Sequence, residues 1–124
     1  MMRFIRWLPA FFIICCSWYI SSQSIVQMPS FNYADKAIHF VCYAGLAFWM
    51  AFAYKAKQFV KKDMGIPIIL TSVYGIIDEI HQSFVPGRSC SVFDWIADTT
   101  GAFLGVLVFI LTYTYIKERI KNTR

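Results

Sequence analysis

The most informative stretch of this chain runs from Tyr74 to Gly105 and reads YGIIDEIHQSFVPGRSCSVFDWIADTTGAFLG. It places four carboxylates, a histidine, a glutamine and an arginine among residues that are otherwise almost wholly apolar. An ionisable side chain inside a membrane costs roughly 2.5–3.5 kcal/mol on insertion scales, and it is normally kept only where it faces a bundle interior or a water-filled cavity. If this stretch crosses a membrane, its polar side chains are therefore predicted to be functional.

The composition of the whole chain indicates a membrane protein. Hydrophobic residues make up 58% of the sequence and charged residues only 15%, whereas soluble domains average about 45–50% apolar and 25% charged residues. A length of 124 residues favours one domain. We therefore predict an all-α, polytopic membrane protein with a single domain over residues 1–124.

Four segments have the length that a membrane span needs, since about 20 helical residues cross roughly 30 Å of hydrocarbon. They cover residues 6–22, 36–54, 65–84 and 93–115 approximately, and we expect them to form a compact bundle of four transmembrane helices. The first segment also has the basic start and apolar centre of a secretory signal. Its cleavage would leave the remaining basic segments on opposite sides of the membrane, so we expect it to be retained.

The basic residues predict the orientation. They cluster before the first segment, between the second and third, and after the fourth, namely at Arg3, Arg6, Lys55, Lys57, Lys61, Lys62, Lys117, Arg119, Lys121 and Arg124. The positive-inside rule assigns these three groups to the cytoplasm, and therefore both termini as well. The net charge of +5 is explained by topology, and no nucleic-acid partner is expected.

Polar residues recur at four-residue spacing in three of the segments, which places each pair on one face of a helix. The pairs are Asp35 with His39, Asp78 with Gln82, and Asp94 with Asp98, and Glu79 lies beside the second pair. All of them are near the ends that the charge rule directs outward. We therefore predict that three polar faces converge in an outward-facing pocket.

Arg88 follows a predicted tight turn at Pro86 and Gly87, which leaves it over this pocket. Its guanidinium group is suited to a phosphate or carboxylate ligand, which it can bind through two parallel hydrogen bonds. The alternative is structural. In that case Arg88 pairs with Asp78, Glu79 and Asp94, and these charges only hold the bundle together.

The order of these polar motifs resembles that of the VanZ-like family. The resemblance covers roughly residues 35–105 and rests on Asp35–Lys36, His39, the DExxQ pattern at Asp78, Glu79 and Gln82, Pro86–Arg88, Asp94, and the GxxxG pattern at Gly101 and Gly105. Asp98 departs from the pattern, because the family often has Asn there, and His81 is not part of it. The resemblance implies a small multi-pass protein of the bacterial cytoplasmic membrane.

The founding member of that family gives low-level resistance to the glycopeptide antibiotic teicoplanin. Teicoplanin acts on peptidoglycan precursors outside the cytoplasmic membrane, so a polar cluster on the extracytoplasmic side is in the appropriate compartment. The resemblance therefore implies a role in the cell envelope and in antibiotic resistance.

A binding or envelope-remodelling function is the first hypothesis. Membrane lipids are the expected partners, and the ligand is a lipid head group or a lipid-linked cell-wall precursor. The candidate ligand-binding residues are Lys36, His39, Asp35, Gln82, Arg88, Asp94 and Asp98.

An enzymatic function is the second hypothesis, and whether the protein is an enzyme is left open. His39, Asp78 and Glu79 are candidate catalytic residues for a hydrolase or transferase on a lipid-linked substrate. Together with Asp94 they are also the candidate ligands of a divalent cation. The sequence has no HExxH motif to support this chemistry.

The GxxxG pattern at Gly101 and Gly105 usually marks close helix packing. A homodimer through these glycines is the alternative, and a transport function, the third hypothesis, would require such an oligomer.

Overall fold

The computed structural model describes residues 2–24, 34–55 and 61–123, with side chains for all of these except Met2, Arg3, Asp35, Lys55 and Lys61. The regular structure in these ranges is entirely helical. It consists of α1 (Met2–Ile5), α2 (Leu8–Ser21), α3 (Ala34–Lys55), a short 3-10 helix (Lys61–Met64), α4 (Gly65–Ser83) and α5 (Val92–Asn122). The predicted all-α class is confirmed for the described part of the chain.

Two of these helices are long and apolar enough to cross a membrane. They are α3, over Lys36–Tyr54, and α5, over Val92–Asn122, while the apolar α2 is shorter. Large hydrophobic side chains are exposed on several helices, including Phe12, Val41, Ile69, Phe103 and Leu111. Large exposed apolar side chains on several helices are typical of contact with a membrane or a partner, so the helices indicate a membrane protein.

Local sequence explains where several helices begin and end. Pro9 lies in the first turn of α2, where a missing N–H is tolerated. Arg119 and Lys121 lie in the last turn of α5, where positive charge is favourable to the helix dipole. Between α4 and α5 the chain turns at Gly87, whose φ of 82° is a conformation that glycine adopts readily.

The helix α5 packs closely against α3 through its two glycines. A Cβ atom on Gly101 would overlap the carbonyl oxygen of Phe40, and one on Gly105 would overlap that of Ala44. Both glycines are buried within the chain. The GxxxG pattern therefore joins α3 and α5 of one molecule, and the homodimer through Gly101 and Gly105 stays a prediction.

The interior is apolar at one end of the bundle and polar at the other. Small and apolar residues of α3 and α5, together with Met64 of the 3-10 helix, form one core cluster, which contains Ala47, Ala51, Met64, Ala102, Val106 and Phe109. The polar end lies where α3 begins, α4 ends and α5 begins. This antiparallel arrangement brings together the three faces that the spacing of polar residues predicts.

Candidate functional site

Six polar side chains from three helices are buried at this polar end. His39 of α3 is 8% exposed, and the others, from α4 and α5, are Asp78 (1%), Glu79 (3%), Gln82 (3%), Asp94 (4%) and Asp98 (0%). The helical spacing of the sequence predicts that these residues face inward, and they do. Their grouping concentrates four carboxylates in a region of low dielectric, where unpaired charge is expensive.

His39 connects α3 to α5 through Asp98. The ring N–H at Nδ1 of His39 donates to Oδ1 of Asp98 at 2.8 Å. The other oxygen of Asp98, Oδ2, is buried and has no hydrogen-bond partner among the described residues. This hydrogen bond holds the imidazole ring in one orientation.

Gly75 makes room for Asp98, and the sequence analysis did not identify this glycine as part of the site. A Cβ atom on Gly75 would lie 2.9 Å from Oδ2 of Asp98. Glycine inside a helix costs about 1 kcal/mol relative to alanine. A glycine in the interior of α4, three residues before Asp78, is therefore a sequence signal that could have identified this close contact.

Glu79 has one carboxylate oxygen held and the other unpaired. Oε2 accepts a hydrogen bond from the backbone N–H of Ser91 at 2.9 Å, immediately before α5 begins. Oε1 lies 4.0 Å from Nδ1 of His39, and it is buried with no hydrogen-bond partner in the described ranges. The Ser91 contact therefore fixes the carboxylate so that its free oxygen is near His39.

Lys36 and Asp94 form an ion pair between the start of α3 and the first turn of α5. Nζ of Lys36 donates to Oδ1 of Asp94 at 3.0 Å, and the lysine side chain is 36% exposed. Both residues are predicted ligand-binding residues. Their contact shows that Asp94 is positioned by Lys36, while solvent weakens the energetic contribution of the pair.

Asp78 faces a different side of α4 from Glu79. Adjacent residues leave a helix about 100° apart, and Asp78 accepts a hydrogen bond from the Tyr43 hydroxyl at 2.9 Å. Gln82 Nε2 lies 3.4 Å from the same oxygen, Oδ2, and 3.3 Å from Ser21 Oγ. Asp78 is thus part of a network with α2 and α3, whereas Glu79 faces α5.

A group of three residues is close enough together to hold a metal ion. One donor atom each from His39, Glu79 and Asp94 lies within 4.8 Å of the other two. These are three of the four residues that the sequence predicts as metal ligands. Asp78, the fourth, is not in this group, because its carboxylate is on the Tyr43 side of α4.

A small cavity of about 50 Å³ lies on the Asp78 side. His39, Asp78, Gln82 and Arg88 contribute polar groups to its wall, and Ile20 and Ile38 contribute apolar ones. Ile20 is 48% exposed and Ile38 is 41% exposed. The rim of the cavity therefore faces the surroundings of the bundle between α2 and α3.

Arg88 lies on the wall of this cavity and does not pair with the buried carboxylates in the described part of the chain. Its Nη2 donates to the carbonyl oxygen of Ile20 at 3.2 Å, and its Nε is buried without a hydrogen-bond partner there. The alternative in which Arg88 pairs with Asp78, Glu79 and Asp94 is therefore not the arrangement found.

Two other predicted or polar residues are not placed in the site. His81 stacks on Trp18 with ring centroids 4.0 Å apart, and its Nε2 is 3.0 Å from Ser22 Oγ, so it packs against α2. The side chain of Asp35, a predicted ligand-binding residue, lies outside the described residues.

A second, apolar cavity of about 200 Å³ lies on the other side of α4. It is lined by Ile76, Glu79, Ile80, Cys90, Ser91, Val92 and Trp95. Among these described residues, Glu79 contributes the carboxylate. The two cavities therefore flank the buried polar group, one next to Asp78 and the other next to Glu79.

The fold and the site define a small helical membrane protein with a buried carboxylate and histidine cluster at one end of its helices. The family model described as VanZ/LLP1 matches residues 3–113, and the chain belongs to the VanZ/LLP1 family. A search of curated proteins gave no match, and a search of solved structures gave none either.

Proposed function

We propose that this protein binds the anionic head group of a membrane lipid or of a lipid-linked cell-wall precursor in the cavity beside Arg88. The observation that carries the proposal is the half-buried guanidinium group of Arg88, whose Nε lacks a partner among the described atoms. It lies on the wall of a cavity whose rim includes the exposed Ile20 and Ile38. A lipid has access to such a rim from within the bilayer.

The chemistry of the cavity supports an anionic ligand with hydroxyl or amide groups. Guanidinium groups bind phosphate and carboxylate oxygens in a planar, bidentate geometry. Asp78 would repel an anion, but Tyr43 donates to its carboxylate at 2.9 Å and Gln82 lies close to the same oxygen. These contacts stabilise the carboxylate and weaken its repulsion of an anionic ligand at Arg88.

The distribution of charge along α5 supports an extracytoplasmic site. Asp94 and Asp98 lie near the start of this helix, and Arg119 and Lys121 lie in its last turn. Under the positive-inside rule the basic end is cytoplasmic and the polar cluster faces outward. The proposal accordingly includes four membrane spans, cytoplasmic termini and a location in the bacterial cytoplasmic membrane. Low-level teicoplanin resistance is the expected consequence if the ligand is a cell-wall precursor.

Native mass spectrometry of the full-length protein, released from its own membrane, tests the proposal. We expect the wild type to retain an anionic lipid or precursor, and Arg88→Ala to lose it. Arg119→Ala is the matched control, because it removes the same charge in the last turn of α5. A wild type without bound lipid, or equal retention by Arg88→Ala, would contradict head-group binding.

A second candidate function is a membrane-embedded hydrolase or transferase that acts on a lipid-linked substrate, with or without a divalent cation. The specific observation is the unpaired Oε1 of Glu79, 4.0 Å from His39 Nδ1. A carboxylate in that position is suited to accept a proton from an attacking water or hydroxyl. An unchanged lipid profile in a strain that carries Glu79→Gln would remove this candidate.

A further inference from the structure

Three donors from three different helices converge on one point at the polar end of the bundle. One atom each of His39, Glu79 and Asp94 lies within 4.8 Å of the other two. Metal–ligand bonds to imidazole nitrogen and carboxylate oxygen are about 2.0–2.6 Å long. Donors this close reach a common ion with only small side-chain rotations, and the rigid helices α3, α4 and α5 hold them in place.

A second observation, independent of this clustering, points to a ligand. Glu79 is 3% exposed, and its Oε1 has no hydrogen-bond partner in the ranges that the structure describes. The backbone N–H of Ser91 holds the other oxygen at 2.9 Å, which keeps Oε1 on the His39 side. A buried carboxylate oxygen is almost always satisfied by a partner, and a cation between Glu79, His39 and Asp94 satisfies this one.

We propose that His39, Glu79 and Asp94 bind one divalent transition-metal ion of the manganese or zinc class. One imidazole nitrogen with two carboxylate oxygens suits these ions, whereas magnesium and calcium prefer oxygen ligands alone. No cysteine belongs to the group, which disfavours a thiolate site. With three protein ligands, the ion keeps coordination positions for water or for a ligand oxygen.

The surroundings of the three ligands match those of known metal sites. A metal-bound histidine usually donates its other ring N–H to a carboxylate, a carbonyl or water, and this partner sets the orientation of the ring. Asp98 has that position, since its Oδ1 accepts from Nδ1 of His39 at 2.8 Å, and Nε2 is then the nitrogen that remains to bind the ion. Lys36 similarly holds one oxygen of Asp94 at 3.0 Å. We assign Asp98 as a positioning residue of the cation site.

The test of the cation site does not depend on the head-group proposal, because metal binding is measured without added lipid ligands. Full-length protein in detergent, stripped with a chelator, is titrated with MnCl₂ and with ZnCl₂ and assayed by calorimetry and by metal analysis after desalting. We expect one ion per chain for at least one of the two metals. Glu79→Gln and Asp94→Asn should each reduce the affinity by about 10-fold or more.

Glu118→Gln is the matched control, because it makes the same chemical change as Glu79→Gln on an exposed residue near the end of α5. It should keep the affinity of the wild type, and circular dichroism checks that every variant is folded. Asp98→Asn should weaken binding by about 10–100-fold while the stoichiometry stays at one. A folded wild type that binds neither ion would overturn the proposal, and so would an equal loss of affinity in Glu118→Gln and Glu79→Gln.

Discussion

At the scale of single residues, His39 is the centre of the site. It donates to Asp98 at 2.8 Å, lies 4.0 Å from a free oxygen of Glu79 and lines the cavity beside Arg88. The candidate anion pocket and the candidate cation site therefore share one side chain. If both are occupied, an ion beside His39 attracts the head group that Arg88 contacts.

Gly75 should be required for the geometry of Asp98 and His39. Gly75→Ala places a Cβ 2.9 Å from Oδ2 of Asp98, so the carboxylate must shift away from its contact with His39. We expect weaker binding of manganese or zinc, measured by calorimetry. Gly65→Ala is the control, because nothing lies within 4 Å of a Cβ at that position. Equal affinity in both variants would show that the Gly75 contact has no role in the site.

The Tyr43 hydroxyl should stabilise the buried Asp78 carboxylate. Tyr43→Phe removes the donor to Oδ2 at 2.9 Å and leaves only the longer Gln82 contact at 3.4 Å. We expect a loss of about 1–2 kcal/mol in the free energy of unfolding. Thermal or denaturant unfolding in detergent measures this loss. Tyr74→Phe removes a half-buried hydroxyl that donates to Ile14 at 3.2 Å, and it should cost less. The reverse order would contradict this account of Asp78.

The residue types and spacing allowed much of the site to be predicted, but not its pairing. Four-residue spacing placed Asp78, Gln82, Asp94 and Asp98 on inward faces, because helical periodicity is local. Which partner each would meet depends on how the helices cross, and this is a tertiary property. The ion pair of Lys36 with Asp94, and the separation of Asp78 from Glu79 onto two sides of α4, therefore emerged only from the structure.

At the scale of helices, the predicted segments agree well with α3 and α4 and less well with the ends of the chain. Apolar runs bounded by charged or turn residues mark α3 (Ala34–Lys55) and α4 (Gly65–Ser83) clearly. The predicted fourth segment ends at residue 115, but α5 continues to Asn122. Hydropathy detects only its apolar part, whereas lysine, arginine and glutamate are good helix formers that extend it.

The α3–α5 contact should be the least tolerant of added volume. Gly105→Ala forces a Cβ into the carbonyl oxygen of Ala44, so the two helices must separate, which costs about 1–3 kcal/mol or more. Gly45→Ala is the control, because its Cβ would make an ordinary contact at 3.9 Å with Ile13. We expect thermal unfolding of Gly105→Ala in detergent at a clearly lower temperature than that of Gly45→Ala. Equal melting temperatures would contradict the close packing of α3 and α5.

The sequence pattern of Gly101 and Gly105 indicated a close helix approach without identifying the partner helix. A GxxxG pattern specifies only that a backbone can come near. In the structure that backbone belongs to α3, at Phe40 and Ala44.

At the scale of the whole molecule, the chain is polarised along its helices. Buried carboxylates and His39 occupy one end of the bundle, apolar residues such as Ala51 and Phe109 fill the interior towards the other, and basic residues follow in the last turn of α5. Burying a polar group has a cost in stability, and we propose that the end where these groups are concentrated is where the protein acts.

The most direct test of that claim is the teicoplanin susceptibility of a sensitive host that expresses the protein, with membrane levels matched by immunoblot. We predict that wild type and Arg119→Ala raise the inhibitory concentration, and that Glu79→Gln and Arg88→Ala do not. Equal protection by all four proteins would contradict the claim and would make the polar cluster a structural feature only. An absence of protection by the wild type would contradict the resistance role itself.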